Sequence, residues 1–128
     1  MKNRAEAEPR KRILVVDDEP EVTKYVVRIL ENAGFDARYV NDPLKAVDQA
    51  TEIVPDLILM DFDMPGLMGP ELSVLLKRAL EPRNVPIVFL SGMTGEDHRE
   101  IAAFGGAVVY LDKPFDAGKL LRTVRGLL

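Results

Sequence analysis

"LILMDFDMPG" (Leu57–Gly66) decides the fold. Four apolar residues run into Asp61, a second acid follows at Asp63, and Pro65 and Gly66 stop regular structure. A continuous apolar run of this length marks a strand buried on both faces, the signature of a parallel sheet. A carboxylate at the end of such a strand costs desolvation unless something pairs with it. The chain therefore needs a reason for Asp61 and partners to keep it company.

The same pattern recurs along the chain. "ILVV" (Ile13–Val16), "IVFL" (Ile87–Leu90) and "VVYL" (Val108–Leu111) are further continuous apolar runs. "FDARYV" (Phe35–Val40) is a weaker, alternating strand and belongs at a sheet edge. Helical patterns lie between them. Pro20 suits a first turn, Val22, Val26, Ile29, Leu30 and Ala33 follow at helical spacing, and Gly34 is placed to end the helix. Asp42 can cap a helix from Pro43, with Ala46, Val47 and Ala50 inward. Leu72, Leu75, Leu76 and Ala79 mark the next helix, and Glu96–Phe104 a short one stopped by Gly105 and Gly106. Asp116 caps a last helix carrying Leu120, Leu121, Val124 and Leu127. Strands alternating with helices predict a doubly wound α/β domain, a parallel sheet covered on both faces.

Size and composition agree. The 128 residues predict one domain over residues 13–128, after a disordered basic leader, residues 1–12, "MKNRAEAEPRKR". The net charge is −4 and the pI about 5.0, which carries no nucleic-acid footprint and predicts no direct nucleic-acid binding by this chain. With no cysteine there is no disulfide or thiolate chemistry. No apolar run approaches the roughly 20 residues that span a bilayer, and no signal peptide is evident. A cytoplasmic protein without a membrane partner is expected.

In an open parallel sheet, ligands bind beyond the carboxyl ends of the strands. There the sequence places Asp17, Asp18 and Glu19 after the first strand and Asp61 after the third. Ser91 and Gly92 follow the fourth, and Lys113 and Pro114 the fifth. Asp17, Asp18 and Asp61 outweigh Lys113 by two negative charges. Two carboxylates about 4 Å apart repel by roughly 4 kcal/mol at an effective dielectric near 20. A divalent cation neutralises the set, and hard oxygen donors without His or Cys suit Mg²⁺. A cation and an amine around one carboxylate point to phosphoryl chemistry, with Asp61 as the nucleophile.

"ILVVDDEP", "LILMDFDMPGLMG", "VFLSG" and "YLDKPF" together resemble the response-regulator receiver domain of two-component signalling. The resemblance covers about residues 12–128 and rests on four motifs in order, each at a strand end. It implies the flavodoxin-like strand order 2-1-3-4-5. It also implies phosphorylation of Asp61 by a sensor histidine kinase or histidine phosphotransfer protein, for an output domain or partner protein. By the resemblance Asp17 and Asp18 hold Mg²⁺, Asp18 the more directly, together with Asp61, and the Asp63 carbonyl is a further protein ligand. Ser91 matches the switch hydroxyl, Lys113 the phosphoryl-binding lysine and Tyr110 the aromatic switch residue. The Lys113–Pro114 bond is implied to be cis. No enzyme acting on an external substrate is expected. A domain never phosphorylated, serving as a binding module, and a haloacid-dehalogenase-type phosphatase are the alternatives. Asp63 is an unusual acid two places beyond the phosphorylation site. "GGAVVYL" lacks the acids of one charged dimer face. No output domain follows Leu128, so a stand-alone regulator and part of a longer protein are both open. His98, in the polar "GEDHRE", is expected to be a solvated surface residue.

Overall fold

A computed structural model describes residues 9–62, 64, 69–92 and 109–128. Most of the leader, Asp63, the Glu96–Phe104 helix and His98 lie outside the described residues. The strands are β1 (Arg12–Val16), β2 (Asp36–Val40), β3 (Leu57–Asp61), β4 (Ile87–Ser91) and β5 (Val109–Asp112). The described helices are α1 (Pro20–Asn32), α2 (Ala46–Ile53), α3 (Gly69–Ala79) and α4 (Ala117–Leu127). All neighbouring strands are parallel, in the order β2-β1-β3-β4-β5. This is the doubly wound order expected, with β2 at an edge.

Alternation within each strand sorts the core into two layers. Leu14, Val16, Ile58, Met60, Ile87 and Phe89 pack with Ala46, Ala50, Leu72 and Leu76 of α2 and α3. Ile13, Val15, Leu57, Leu59, Val88 and Leu90 pack with Val26 and Leu30 of α1 and Leu120 and Val124 of α4. Every residue of β3 and β4 is buried, which is why both are apolar up to the polar residue that ends each, Asp61 and Ser91.

Local chemistry sets the boundaries. Pro20 occupies the first turn of α1, and Gly34 takes a positive φ of 97° just past its end. Asp116 accepts the Lys119 N–H at 2.8 Å and caps α4. Asp42 also caps, through the Leu44 N–H, but the turn it opens is a 3-10 turn, Pro43–Lys45, before α2 begins. β1 starts one residue early. The Arg12 N–H donates to Asp56 Oδ2 at 2.8 Å, and its guanidinium donates to the Ile53 carbonyl at 2.8 Å. In α3 the inward stripe runs through Leu72, Ser73 and Leu76 and on to Leu80 just past its end, so Leu75, expected with it, is 46% exposed.

Candidate functional site

The register of the ladders assembles the polar strand ends. Val16 pairs with Met60, Asp61 with Leu90 and Ser91 with Asp112, so Asp17, Asp61, Ser91 and Lys113 leave the sheet along one edge. Lys113 lies at the centre of what is described there. Its Nζ donates to Asp61 Oδ1 at 3.2 Å and to Asp17 Oδ2 at 3.3 Å. Asp17 is fully buried and Asp61 nearly so. The Lys113 N–H also donates to the Ser91 carbonyl at 2.6 Å, tying the amine's loop to the end of β4. The Lys113–Pro114 bond is cis.

One ammonium does not satisfy two buried carboxylates. Burial first, and then the charge of Asp17, push the Asp61 carboxyl up to about 6, against the pull of Lys113. Burial likewise raises Asp17, although the Glu19 N–H and Lys113 work the other way. Burial opposes the charge on Lys113, yet Asp61 and Asp17 together hold its ammonium above the usual lysine range. Among the described residues, the edge carries more negative charge than Lys113 balances.

The donor set fits a hard divalent cation. Carboxylate oxygens of Asp17, Asp18 and Glu19 come within 4.8 Å of one another, and all are oxygen donors. Asp17 is buried, Asp18 half-buried and Glu19 exposed, so the cluster runs from the buried pair out to the surface. Asp63 lies outside the described residues, and so does its carbonyl.

Ser91 is buried at the end of β4. Tyr110 is half-buried, its ring 5.9 Å from Phe89 and 6.3 Å from Phe62, the residue directly after Asp61. Phe62 and Phe89 meet edge to face at 5.4 Å. This aromatic cluster links the strand ends carrying Asp61 and Ser91, and the motifs alone did not show it. They also left Gly69 without a role. A Cβ there would sit 2.8 Å from the Phe62 carbonyl oxygen and 2.9 Å from that of Asp61. Glycine lets α3 start against the backbone of the site, where its N–H donates to the Phe62 carbonyl at 2.9 Å. A cleft of about 480 Å³, lined by Glu19, Val22, Tyr25, Lys113 and Phe115 among others, opens beside the lysine.

Comparison with known proteins places this geometry. The profile of the response regulator receiver domain matches residues 13–125. The phosphate regulon transcriptional regulatory protein PhoB of Klebsiella pneumoniae is 36% identical over 118 residues, covering 92% of this chain and 52% of PhoB. RpaA of Synechocystis, a DNA-binding dual master transcriptional regulator, is 36% identical over 118 residues, covering 91% of this chain and 48% of RpaA. The chemotaxis protein CheY4 of Vibrio cholerae superposes with a TM-score of 0.87 at 26% identity, covering 94% of this chain and all of CheY4. The chain thus spans about half the length of the first two. The expectation of no direct nucleic-acid binding is corrected here. A net charge of −4 describes only these 128 residues, and they match half of a regulator that binds DNA. In a modular protein the cationic contacts can reside on another stretch. Among the described residues, no helix is long and apolar enough to cross a membrane.

Proposed function

We propose, for a chain that belongs to the response regulator receiver domain family of two-component signalling, that Asp61 accepts a phosphoryl group from a histidine kinase or phosphotransfer protein. The observation that carries this is the placement of Lys113 Nζ between Asp61 Oδ1 and Asp17 Oδ2. With a pKa of about 6, Asp61 is ionised at neutral pH and presents a carboxylate oxygen as nucleophile. That oxygen forms the new bond to phosphorus as the donor's bond to phosphorus breaks. Lys113 already points at Asp61 and moves little to reach a phosphoryl oxygen, so its charge is preorganised where negative charge arrives. Asp17, Asp18 and Asp61, with the carbonyl of Asp63, would hold Mg²⁺, which when bound neutralises the phosphoryl oxygens. The domain acts on no external substrate and hydrolyses its own phosphoaspartate.

Ser91 and Tyr110 carry the signal onward. Converting a domain from about 1:99 to 99:1 takes about 5.5 kcal/mol of differential stabilisation. Bonds to a charged group give roughly 1.5–3 kcal/mol each, so Ser91, Lys113 and one or two N–H groups supply most of it. Tyr110 already packs on Phe62 and Phe89, so movement of the Asp61 end of β3 reaches its ring through direct contact.

The test is mass spectrometry after incubation with acetyl phosphate and Mg²⁺. One added phosphoryl group is expected, lost in Asp61→Asn. Labelling that survives that substitution sinks the assignment, an unmodified wild-type chain favours a binding module, and turnover of a phosphate ester favours a phosphatase. Beryllofluoride with Mg²⁺ should shift the NMR signals of Ser91 and Tyr110 most. The largest shifts in α2 instead would refute the switch.

A further inference from the structure

The acidic loop is held from behind by groups the proposed chemistry does not touch. Asn41 directly follows β2, and its side chain is half-buried. Its Nδ2 donates to the main-chain carbonyl of Asp17 at 2.8 Å and to Thr23 Oγ1 at 3.0 Å. Thr23 is fully buried in α1 and donates its own hydroxyl proton to the Pro20 carbonyl at 3.0 Å. The Asp17 N–H donates to the Val40 carbonyl at 3.2 Å. Asp17 Oδ1 then accepts the Glu19 N–H at 2.9 Å, closing the turn. The end of β2 thus grips both main-chain polar groups of Asp17, one through Val40 and one through Asn41.

The residue type matters. A carbonyl only accepts, so the nitrogen of Asn41 must face Asp17. The Thr23 hydroxyl has given its proton to Pro20, so toward Asn41 it can only accept. Two acceptors therefore meet one nitrogen that carries two protons. Serine offers one proton, and aspartate at neutral pH offers none. The three carboxylates that follow repel one another, and an unpinned loop relaxes by spreading them.

We propose that Asn41, anchored by Thr23, is a positioning residue for the cation site, holding the Asp17–Glu19 loop so that its carboxylates stay gathered. This rests on the cation-binding reading above. The test is Mg²⁺ titration by calorimetry on the whole chain, with thermal melts in EDTA and in saturating Mg²⁺. Asn41→Ala should weaken Mg²⁺ about tenfold, the low end of what partners of metal ligands contribute. Asn41→Asp should also weaken it, although its added negative charge near the cation would by itself tighten binding. Thr23→Val keeps the bond to Asp17 but removes its anchor, and about a threefold loss is expected, the scale of one ordinary hydrogen bond. In each variant the gain in Tm on adding Mg²⁺ should shrink. Equal affinities, within twofold, in wild type, Asn41→Ala and Asn41→Asp would overturn the proposal. So would a lower Tm with an unchanged Mg²⁺ increment, which marks a purely structural pin. If the Asn41 variants do not fold, Thr23→Val decides in the same way. A wild-type chain that binds no Mg²⁺ at millimolar concentration refutes the cation reading itself, and this inference with it.

Discussion

The two edges of the sheet use the same ingredients and differ in balance. At the amino-terminal edge, Asp56 accepts the Arg12 N–H at 2.8 Å and Arg83 Nη2 at 3.0 Å. Asp36 meets Arg38 at 2.9 Å and Arg12 at 4.0 Å. Each carboxylate there has at least one arginine of its own, and the arginines are about half exposed. At the carboxyl-terminal edge, Asp17 and Asp61 share one lysine and are buried. Water screens the first set, which contributes modestly to stability. The second set is screened less and, among the described residues, has one cation for two carboxylates, which leaves an incoming cation or phosphoryl group something to satisfy. The comparison teaches that ion pairs alone do not mark a site; a charge deficit in a buried place does.

The sharpest way to break this contrast is Lys113→Met. It leaves two buried carboxylates without a cation and should cost about 3 kcal/mol in urea melts at pH 8, the low end for breaking a buried pair because Lys113 is partly exposed. At pH 5 the loss should shrink, since the carboxylates can then take up protons. An equal loss at both pH values would mean that the lysine acts through packing.

A pH series on the metal-free chain comes next. The folded pKa of Asp61 is about 6 against an ordinary 3.8, so the folded state holds the proton more tightly than the unfolded state. Its contribution is present below about pH 4 and lost as pH rises to about 6. At roughly 1.4 kcal/mol per unit, the loss is on the order of 2–3 kcal/mol. Asp61→Asn should flatten this slope and melt higher than wild type at pH 7. A slope unchanged by the substitution assigns the titration elsewhere.

Gly69→Ala tests the backbone of the site. The added Cβ meets two backbone carbonyl oxygens and the buried Phe89 ring, none of which can swing away, and overpacking of this kind costs about 2 kcal/mol. Phosphorylation by acetyl phosphate should slow as well, because the end of β3 must shift. Loss of stability with an unchanged labelling rate would separate α3 from the chemistry.

Arg83→Ala, at the balanced edge, should cost under about 1 kcal/mol and leave Mg²⁺ binding unchanged. A loss as large as that of Lys113→Met would erase the distinction between the edges.

Local patterning alone specifies the order of elements and the identity of the strand-end residues. Continuous apolar runs such as Leu57–Met60 allow few structures other than buried parallel strands, and a parallel sheet gathers its carboxyl ends on one edge. Asp17, Asp61, Ser91 and Lys113 were therefore readable as a set. Local phase was less so. Leu75 fits a helical spacing, but the stripe that α3 buries passes through Ser73 instead. That Lys113 lodges between carboxylates 96 and 52 residues away depends on how the chain packs in three dimensions. The Asn41 side chain joining Thr23 to the main chain of Asp17, and the close seat of Gly69 on β3, depend on the same packing. The physical reason is range. Periodicity and capping act over one or two turns, whereas these contacts depend on ladder register and on how each helix lies across the sheet, which no local pattern encodes.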